Sequence, residues 1–427
     1  MGRKSKRRKQ QDMAARKREN ASCKELIQTM EIPLLRDDNT IGFVKNSRVM
    51  IIMRGLPGSG KSTIVRLIQY VYSKTVVCSA DDYFVTAQGT YAFNQDKLKE
   101  AHEACQAKAL LSCENGVSPV VIDNTCVRRW ELSHYVKLAD AHGYIVVVLE
   151  PQTPWKHDPA ELAKRNKHEV TEEILTQKLA SYEVVVPYYF AWRLNQKASN
   201  RIHHEAEKFF NKCLKIVPEL ASQLQAALST DGPGLNYTEA YQVIPAKPLH
   251  CTAFFSKRGL YEGKNHEGVP YHDWPVVKRS LGKSYGLEVI GFVITPRTVG
   301  ARLRLSERQK RLWNKDDTER AKEAVASVTD SIKSLSMSGT KKKTPSQFQP
   351  TFGQGSRAHF TIGFTKGYSA VQTGLDLVEI ISLEDKNSCN YSFHDLNDAK
   401  ARSYGKGQCV VYLNQPIKVS ALFTGHY

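Results

Sequence analysis

"RVMIIMRGLPGSGKST", residues 48–63, opens on an apolar run with no polar face and passes through a glycine-rich loop into a helical pattern. A short apolar run of this kind is a strand buried on both sides of a sheet. "GLPGSGKS", residues 55–62, fits G-x-x-x-x-G-K-[ST] in its required place, after a strand and before a helix, and makes Gly55, Gly58, Ser59, Gly60, Lys61 and Ser62, with Thr63 next to them, the nucleotide-binding candidates. Its glycines let backbone N–H groups curl round phosphate oxygens at a helix N-terminus, where the dipole favours anions. Lys61 would neutralise the β and γ phosphates, and the Ser62 hydroxyl would ligate Mg²⁺. ATP or GTP with Mg²⁺ is therefore the ligand expected at this loop.

Working outward, "TVVCSADDYF", "PVVIDNT" and "YIVVVLEP" are further β-rich runs, separated by helical stretches such as 94–113. Alternation of this kind predicts a parallel sheet with helices on both faces. Asp81 and Asp123 end two of the strands, where a carboxylate can take a hydroxyl proton or hold Mg²⁺ through water. Arg165, on a helical stretch over 159–183, is placed to close over phosphates as a lid. The fold class is α/β for this N-terminal parallel-sheet domain, expected over 48–228 and including helical 200–228. Gly, Pro and polar residues crowd 229–247, which reads as a linker.

The second domain, 248–427, is expected to be α+β. Its strands are "LHCTAFF", 287–296, 359–364, 376–382, 408–414 and 417–424, with helices at 306–335 and 366–377 and a low-complexity loop at 336–356. Two of these strands carry His-x-Thr: His250 with Thr252, and His359 with Thr361. Residues i and i+2 of a strand face the same way, so strands lying side by side would bring two imidazoles and two hydroxyls to one cleft. That quartet suits phosphodiester cleavage without a metal. One His takes a proton from water, the other protonates the leaving oxygen, and the threonines bond the non-bridging oxygens.

Composition bounds the rest. At 427 residues two domains are natural, and the 41% hydrophobic content is that of a globular chain. The longest apolar runs are far short of the ~20 residues of a transmembrane helix, and the polar N-terminus has no secretory signal. Nine cysteines without a C-x-x-C pair point to a reducing compartment, so a cytoplasmic protein is expected, peripherally membrane-attached at most. The net charge is +18, with nine Lys/Arg against Asp12 in residues 1–18. Within the lead-in 1–47, this arm suits RNA, an anionic membrane surface or nuclear import, or is a solvated tail. Met1-Gly2 lacks the Ser or Thr at position 6 that myristoylation prefers, since Lys6 stands there.

Seven stretches carry a resemblance: "RGLPGSGKST", "SADDY", "LHCTAFF", "TPRTVGARLRLSERQKRLW", "GSRAHFTIGF", "AVQTGLDLVEI" and "ALFTGHY". The paired H-Φ-T-Φ motifs resemble the two-histidine phosphoesterase superfamily, and the whole set is similar to the 2′,3′-cyclic-nucleotide 3′-phosphodiesterase family from about residue 32 onward. The resemblance implies a polynucleotide-kinase-like P-loop domain followed by a bilobal two-histidine domain. It matches His250, Thr252, His359 and Thr361 to the family's catalytic quartet, Arg357 to an arginine near the phosphate, and Phe255 and Val371 to positions flanking the base. The implied reaction breaks the P–O3′ bond and leaves a 2′-phosphate, on cyclic nucleotides or RNA 3′ ends, by a protein expected to be a monomer. The sequence departs from the pattern at Asp123-Asn124-Thr125-Cys126, which stands for the family's DDTN, and ends "TGHY" without a prenylation box. Two other readings stay open: an ATP-dependent 5′-hydroxyl polynucleotide kinase of RNA repair, and an RNA-binding or cytoskeletal scaffold.

Overall fold

The computed structural model describes residues 18–427 apart from 87, 229–236, 244–246, 264–266, 314–352 and 387–392. Four parallel strands form the first sheet: β1 (Val49–Met53), β2 (Val76–Cys78), β3 (Val120–Ile122) and β4 (Ile145–Leu149), in the order β2-β3-β1-β4. All five residues of β1 are buried, as its all-apolar sequence requires. Helices α1 (Asp38–Lys45), α2 (Lys61–Val71), α3 (Leu98–Glu114) and α4 (Arg129–Ala141) flank the sheet. The helix expected over 159–183 is broken into α5 (Pro159–Arg165) and α6 (Glu172–Ala180). Asn166 makes the break: its Oδ1 accepts from the N–H groups of His168 and Val170, and its Nδ2 donates to the carbonyls of Leu162, Ala163 and Val170.

The second sheet begins earlier than the sequence suggests. Strand β5 (Tyr189–Leu194) and helix α7 (Gln196–Ile216), expected in the first domain, pair and pack with the C-terminal sheet. The remaining strands are β6 (Gln242–Val243), β7 (His250–Phe255), β8 (Lys283–Ile294), β9 (Thr298–Arg304), β10 (His359–Phe364), β11 (His394–Asp395), β12 (Ala399–Gly405) and β13 (Gln408–His426). The expected strands 408–414 and 417–424 are one long strand, β13, with a register shift between Tyr412 and Ile417. That irregularity divides the β8–β13 ladder into two stretches, each with its own further neighbours. One path runs β7-β5-β13-β8 and the other β11-β12-β13-β8-β9-β10-β6, with β13 and β8 common to both.

Residues 376–382, expected as a strand, belong to helix α8 (Val371–Lys386). Leu377, Ile380 and Glu384 turn inward from it at helical spacing, onto Val293 and Val410 or toward Arg302. Most of the helical stretch expected at 306–335, and nearly all of the loop at 336–356, lie outside the described residues, as does most of the basic arm.

The two domains share a packed face. Leu422 of β13 is buried in the cluster that holds β1, β4 and α2, and the Thr424 hydroxyl donates to the Val146 carbonyl at 2.7 Å.

Candidate active site

The His-x-Thr strands are neighbours without being paired. Strands β7 and β10 lie against each other, yet the hydrogen-bonded path between them runs through β5, β13, β8 and β9. The two strands thus come close without ladder hydrogen bonds between them. Strand alternation puts His250 with Thr252, and His359 with Thr361, on one face each.

Around His250 the structure gathers groups that the sequence reading did not single out. The Tyr189 ring stacks on His250 at 5.0 Å and on His426 at 4.8 Å, with interplanar angles of 15° and 22°. Arg193, the register partner of His250, donates to the Tyr189 hydroxyl at 2.7 Å and lies 3.0 Å from His426 Nδ1. Burial pushes the His250 pKa well below its ordinary value, and Arg193, His426 and His359 add to that push. Only the alternation Tyr189, Ala191, Arg193 in "YYFAWRL" signalled a strand with a polar face here.

His359 Nδ1 lies 2.6 Å from the Arg357 carbonyl. A carbonyl only accepts, so Nδ1 carries the proton and the neutral ring keeps a lone pair at Nε2. Burial pushes this pKa down to about 4, the hydrogen bond to Arg357 opposing it. The Thr361 hydroxyl lies 3.1 Å from Thr373 Oγ1 and 3.3 Å from the Ala370 carbonyl, at the start of α8. Gly374 faces His359, since a Cβ there would come within 3.3 Å of Cε1. Asp376, one turn from Thr373, is wholly buried, and its carboxylate accepts from Thr295, Thr298, Arg297 and Gln372 at 2.6–2.8 Å. The rim carries exposed apolar groups: Phe255, edge-on to Tyr188 at 4.9 Å, and Val371, 76% exposed.

The phosphate loop is a second constellation. Gly58 has φ +81°, and a Cβ there would stand 2.5 Å from the Leu162 carbonyl of α5. Gly60, at φ +107°, caps α2, and Lys61 Nζ donates to the carbonyls of Gly55 and Leu56 at 2.9 and 3.2 Å. The loop is braced by Thr153, which donates to the Ser59 carbonyl, and by Trp155, which donates to that of Gly58. Burial lowers the Lys61 pKa and raises that of Asp123; the two groups' opposite charges counter both shifts. Ser62, at the start of α2, is near enough to Asp123 for its hydroxyl to help hold the carboxyl's pKa down. Asp81 sits in a single 3₁₀ turn capped by Ser79, accepts from the Tyr91 hydroxyl at 3.3 Å, and lies 3.7 Å from His168 Nε2. Arg165 stacks 4.1 Å over Trp155 and pairs with Glu161 at 2.9 Å, beside the loop but held by its own helix. Among the described residues no three His, Cys, Asp or Glu side chains gather as a metal-ligand set.

A parallel sheet with a phosphate loop, joined to an antiparallel sheet that presents two His-x-Thr strands, defines a two-domain protein built to handle phosphate esters. The profile of the family "2′,3′-cyclic nucleotide 3′-phosphodiesterase (CNP or CNPase)" matches residues 186–427, and that of the AAA domain matches 50–185. The chain is 30% identical over 416 residues to the 2′,3′-cyclic-nucleotide 3′-phosphodiesterase of Mus musculus, covering 96% of this chain and 90% of that one. The enzyme of the same name from Pongo abelii is also 30% identical, over 93% of this chain and 87% of its own. NEDD4-binding protein 2 of Homo sapiens is 42% identical over 151 residues, which are 35% of this chain and 8% of that protein. This chain belongs to the 2′,3′-cyclic nucleotide 3′-phosphodiesterase family.

Proposed function

We propose that the C-terminal domain hydrolyses nucleoside or RNA-terminal 2′,3′-cyclic phosphates to 2′-phosphates, with His250 and His359 as the proton-transfer pair. The observation that carries this reading is the close approach of two His-x-Thr strands of one sheet. Water attacks phosphorus as His359 Nε2 accepts its proton; the P–O3′ bond breaks and His250 protonates O3′ as it leaves. The hydrogen bond from Nδ1 to the Arg357 carbonyl favours His359 as base, because it leaves Nε2 unprotonated with its lone pair available. His250 needs a proton, which its buried, cation-flanked place disfavours until the anionic phosphate arrives and raises its pKa. The Thr252 and Thr361 hydroxyls bond the non-bridging oxygens, Thr361 turning from Thr373 to do so, and Arg357 adds charge beside them. Phe255 and Val371 flank the base. None of these steps draws on a metal or on ATP.

At the other centre we propose that Gly55–Thr63 binds ATP or GTP. The close approach of Lys61, Ser62 and Asp123 supports this reading. Mg²⁺ held by Ser62, with Asp123 beside it, would neutralise phosphate charge there. Asp81 is the group placed to accept a proton if phosphoryl transfer follows.

The test is incubation with 2′,3′-cyclic AMP in chelator, without ATP, followed by chromatography. 2′-AMP as the product supports the proposal; 3′-AMP as the main product, or no turnover, refutes it.

A further inference from the structure

A cleft of about 750 Å³ opens between the domains, on the side of the parallel sheet opposite the phosphate loop. Lys45 and Arg48 before β1, Lys74 before β2, and Lys197 at the start of α7 line it, and among the described residues no Asp or Glu does. None of these four cations is paired with a carboxylate among the described residues. The N-terminus of the 21-residue α7, capped by Asn195, also opens there and adds its dipole to their charge. Asn195 Nδ2 donates to the Asn46 carbonyl across the junction, so both domains build the cleft.

The cleft is continuous with the strands of the proposed phosphodiesterase site. Pro248 lines it two residues before His250, about 7 Å along an extended chain. Asn195 lines it two residues after Arg193, the register partner of His250.

We propose that this cleft binds the phosphodiester backbone of single-stranded RNA whose 3′ end occupies the His250/His359 site. The inference rests on the reading of that site as a cyclic phosphodiesterase. Four cations from three separate segments exceed what the single phosphate of a mononucleotide can use. A planar membrane surface cannot enter a concave junction, and a duplex is too wide and stiff to follow it. A flexible single strand can lay successive phosphates along it.

The test compares K45Q/K74Q/K197Q, which alters only exposed side chains, with a control, K99Q/K215Q/K406Q, that removes as many charges elsewhere. Each phosphate contact contributes about 0.7 to the slope of log affinity against log salt for single strands. Anisotropy with a labelled octanucleotide ending in a 2′,3′-cyclic phosphate should therefore show the slope reduced by about 2. Affinity at 0.1 M salt should fall about 100-fold, with the control near wild type. Hydrolysis of 2′,3′-cyclic AMP, which cannot reach the cleft, should keep its wild-type kcat and KM in both variants. Binding reads the cleft and mononucleotide turnover reads the reaction, so each can fail separately. Equal RNA affinity and salt slope in the cleft variant and the control would overturn the proposal. So would a loss in the cleft variant of binding to phosphatidylserine vesicles with RNA binding intact.

Discussion

Asp376 is the place where a one-atom change should reach the candidate site from beneath. Its buried carboxylate accepts four hydrogen bonds: Oδ2 from the hydroxyls of Thr295 and Thr298, Oδ1 from Arg297 Nε and Gln372 Nε2. These bonds fasten α8 to the turn between β8 and β9, and α8 carries Thr373 and Gly374 against Thr361 and His359. In Asp376→Asn the shape stays and the charge goes. If the amide oxygen faces Arg297, the two threonine hydroxyls must turn to accept from the NH₂; if it faces them, NH₂ meets two donors. Charged hydrogen bonds contribute about 1 kcal/mol more than neutral ones, and breaking a buried ion pair costs about 3–5 kcal/mol. Arg297 keeps Glu379 as a partner, which brings the expected loss to about 2–4 kcal/mol. Urea unfolding followed by tryptophan fluorescence reads it, because Trp192 and Trp313 stack 6.4 Å apart in the core of this domain. Cyclic nucleotide turnover should fall as well, since the start of α8 loosens. A variant within 1 kcal/mol of wild type would show that these contacts do not hold the helix in place.

His250→Ala and His359→Ala should each lower kcat on 2′,3′-cyclic AMP by about 10²–10⁴, and retention of a tenth of the wild-type rate by either would exclude a two-histidine mechanism. Gly58→Ala should abolish triphosphate binding measured by calorimetry, because its Cβ would overlap the Leu162 carbonyl; cyclic phosphate hydrolysis should be unchanged. Lys61→Ala should separate the two activities in the same way, and a joint loss would mean that the centres depend on one another. Stability should fall as pH drops from about 6.5 toward about 4, the unfolded chain binding protons at His359 and His426 that the folded one rejects. Melting temperatures across that range test the sign, and His426→Phe should flatten the slope.

The phosphate loop was legible because its glycines, lysine and hydroxyl must sit at fixed spacing for a backbone to wrap an anion. The His-x-Thr strands were legible because a period of two fixes a face. Two of the strand misreadings trace to buried charge. Strand β9, "TVGARLR", escaped notice because Arg302 lies within it; only the structure shows that side chain buried and bound to both oxygens of Glu384. "DLVEIIS" read as a strand because Asp376 looks like a surface residue, whereas Asp376, Ile380 and Glu384 all turn inward at intervals of four. The Tyr189, Arg193 and His426 cluster joins positions more than 230 residues apart, and no local pattern encodes such a meeting.

Strand β13 has a consequence for how the chain is made. It lies between β8 and both β5 and β12, so three strands wait for it with unpaired edges. It follows β5 by more than 200 residues, which at about 5–20 residues per second is some tens of seconds of synthesis. The parallel sheet, complete by Leu149, can form at once, whereas the antiparallel one is open-edged until the final strand inserts. During that interval β5, with Phe190 and Trp192 uncovered, is the segment most in need of a chaperone. A chain halted before residue 408 would have its parallel sheet formed but lacking Leu422 and Thr424 against it, attached to an aggregation-prone second sheet.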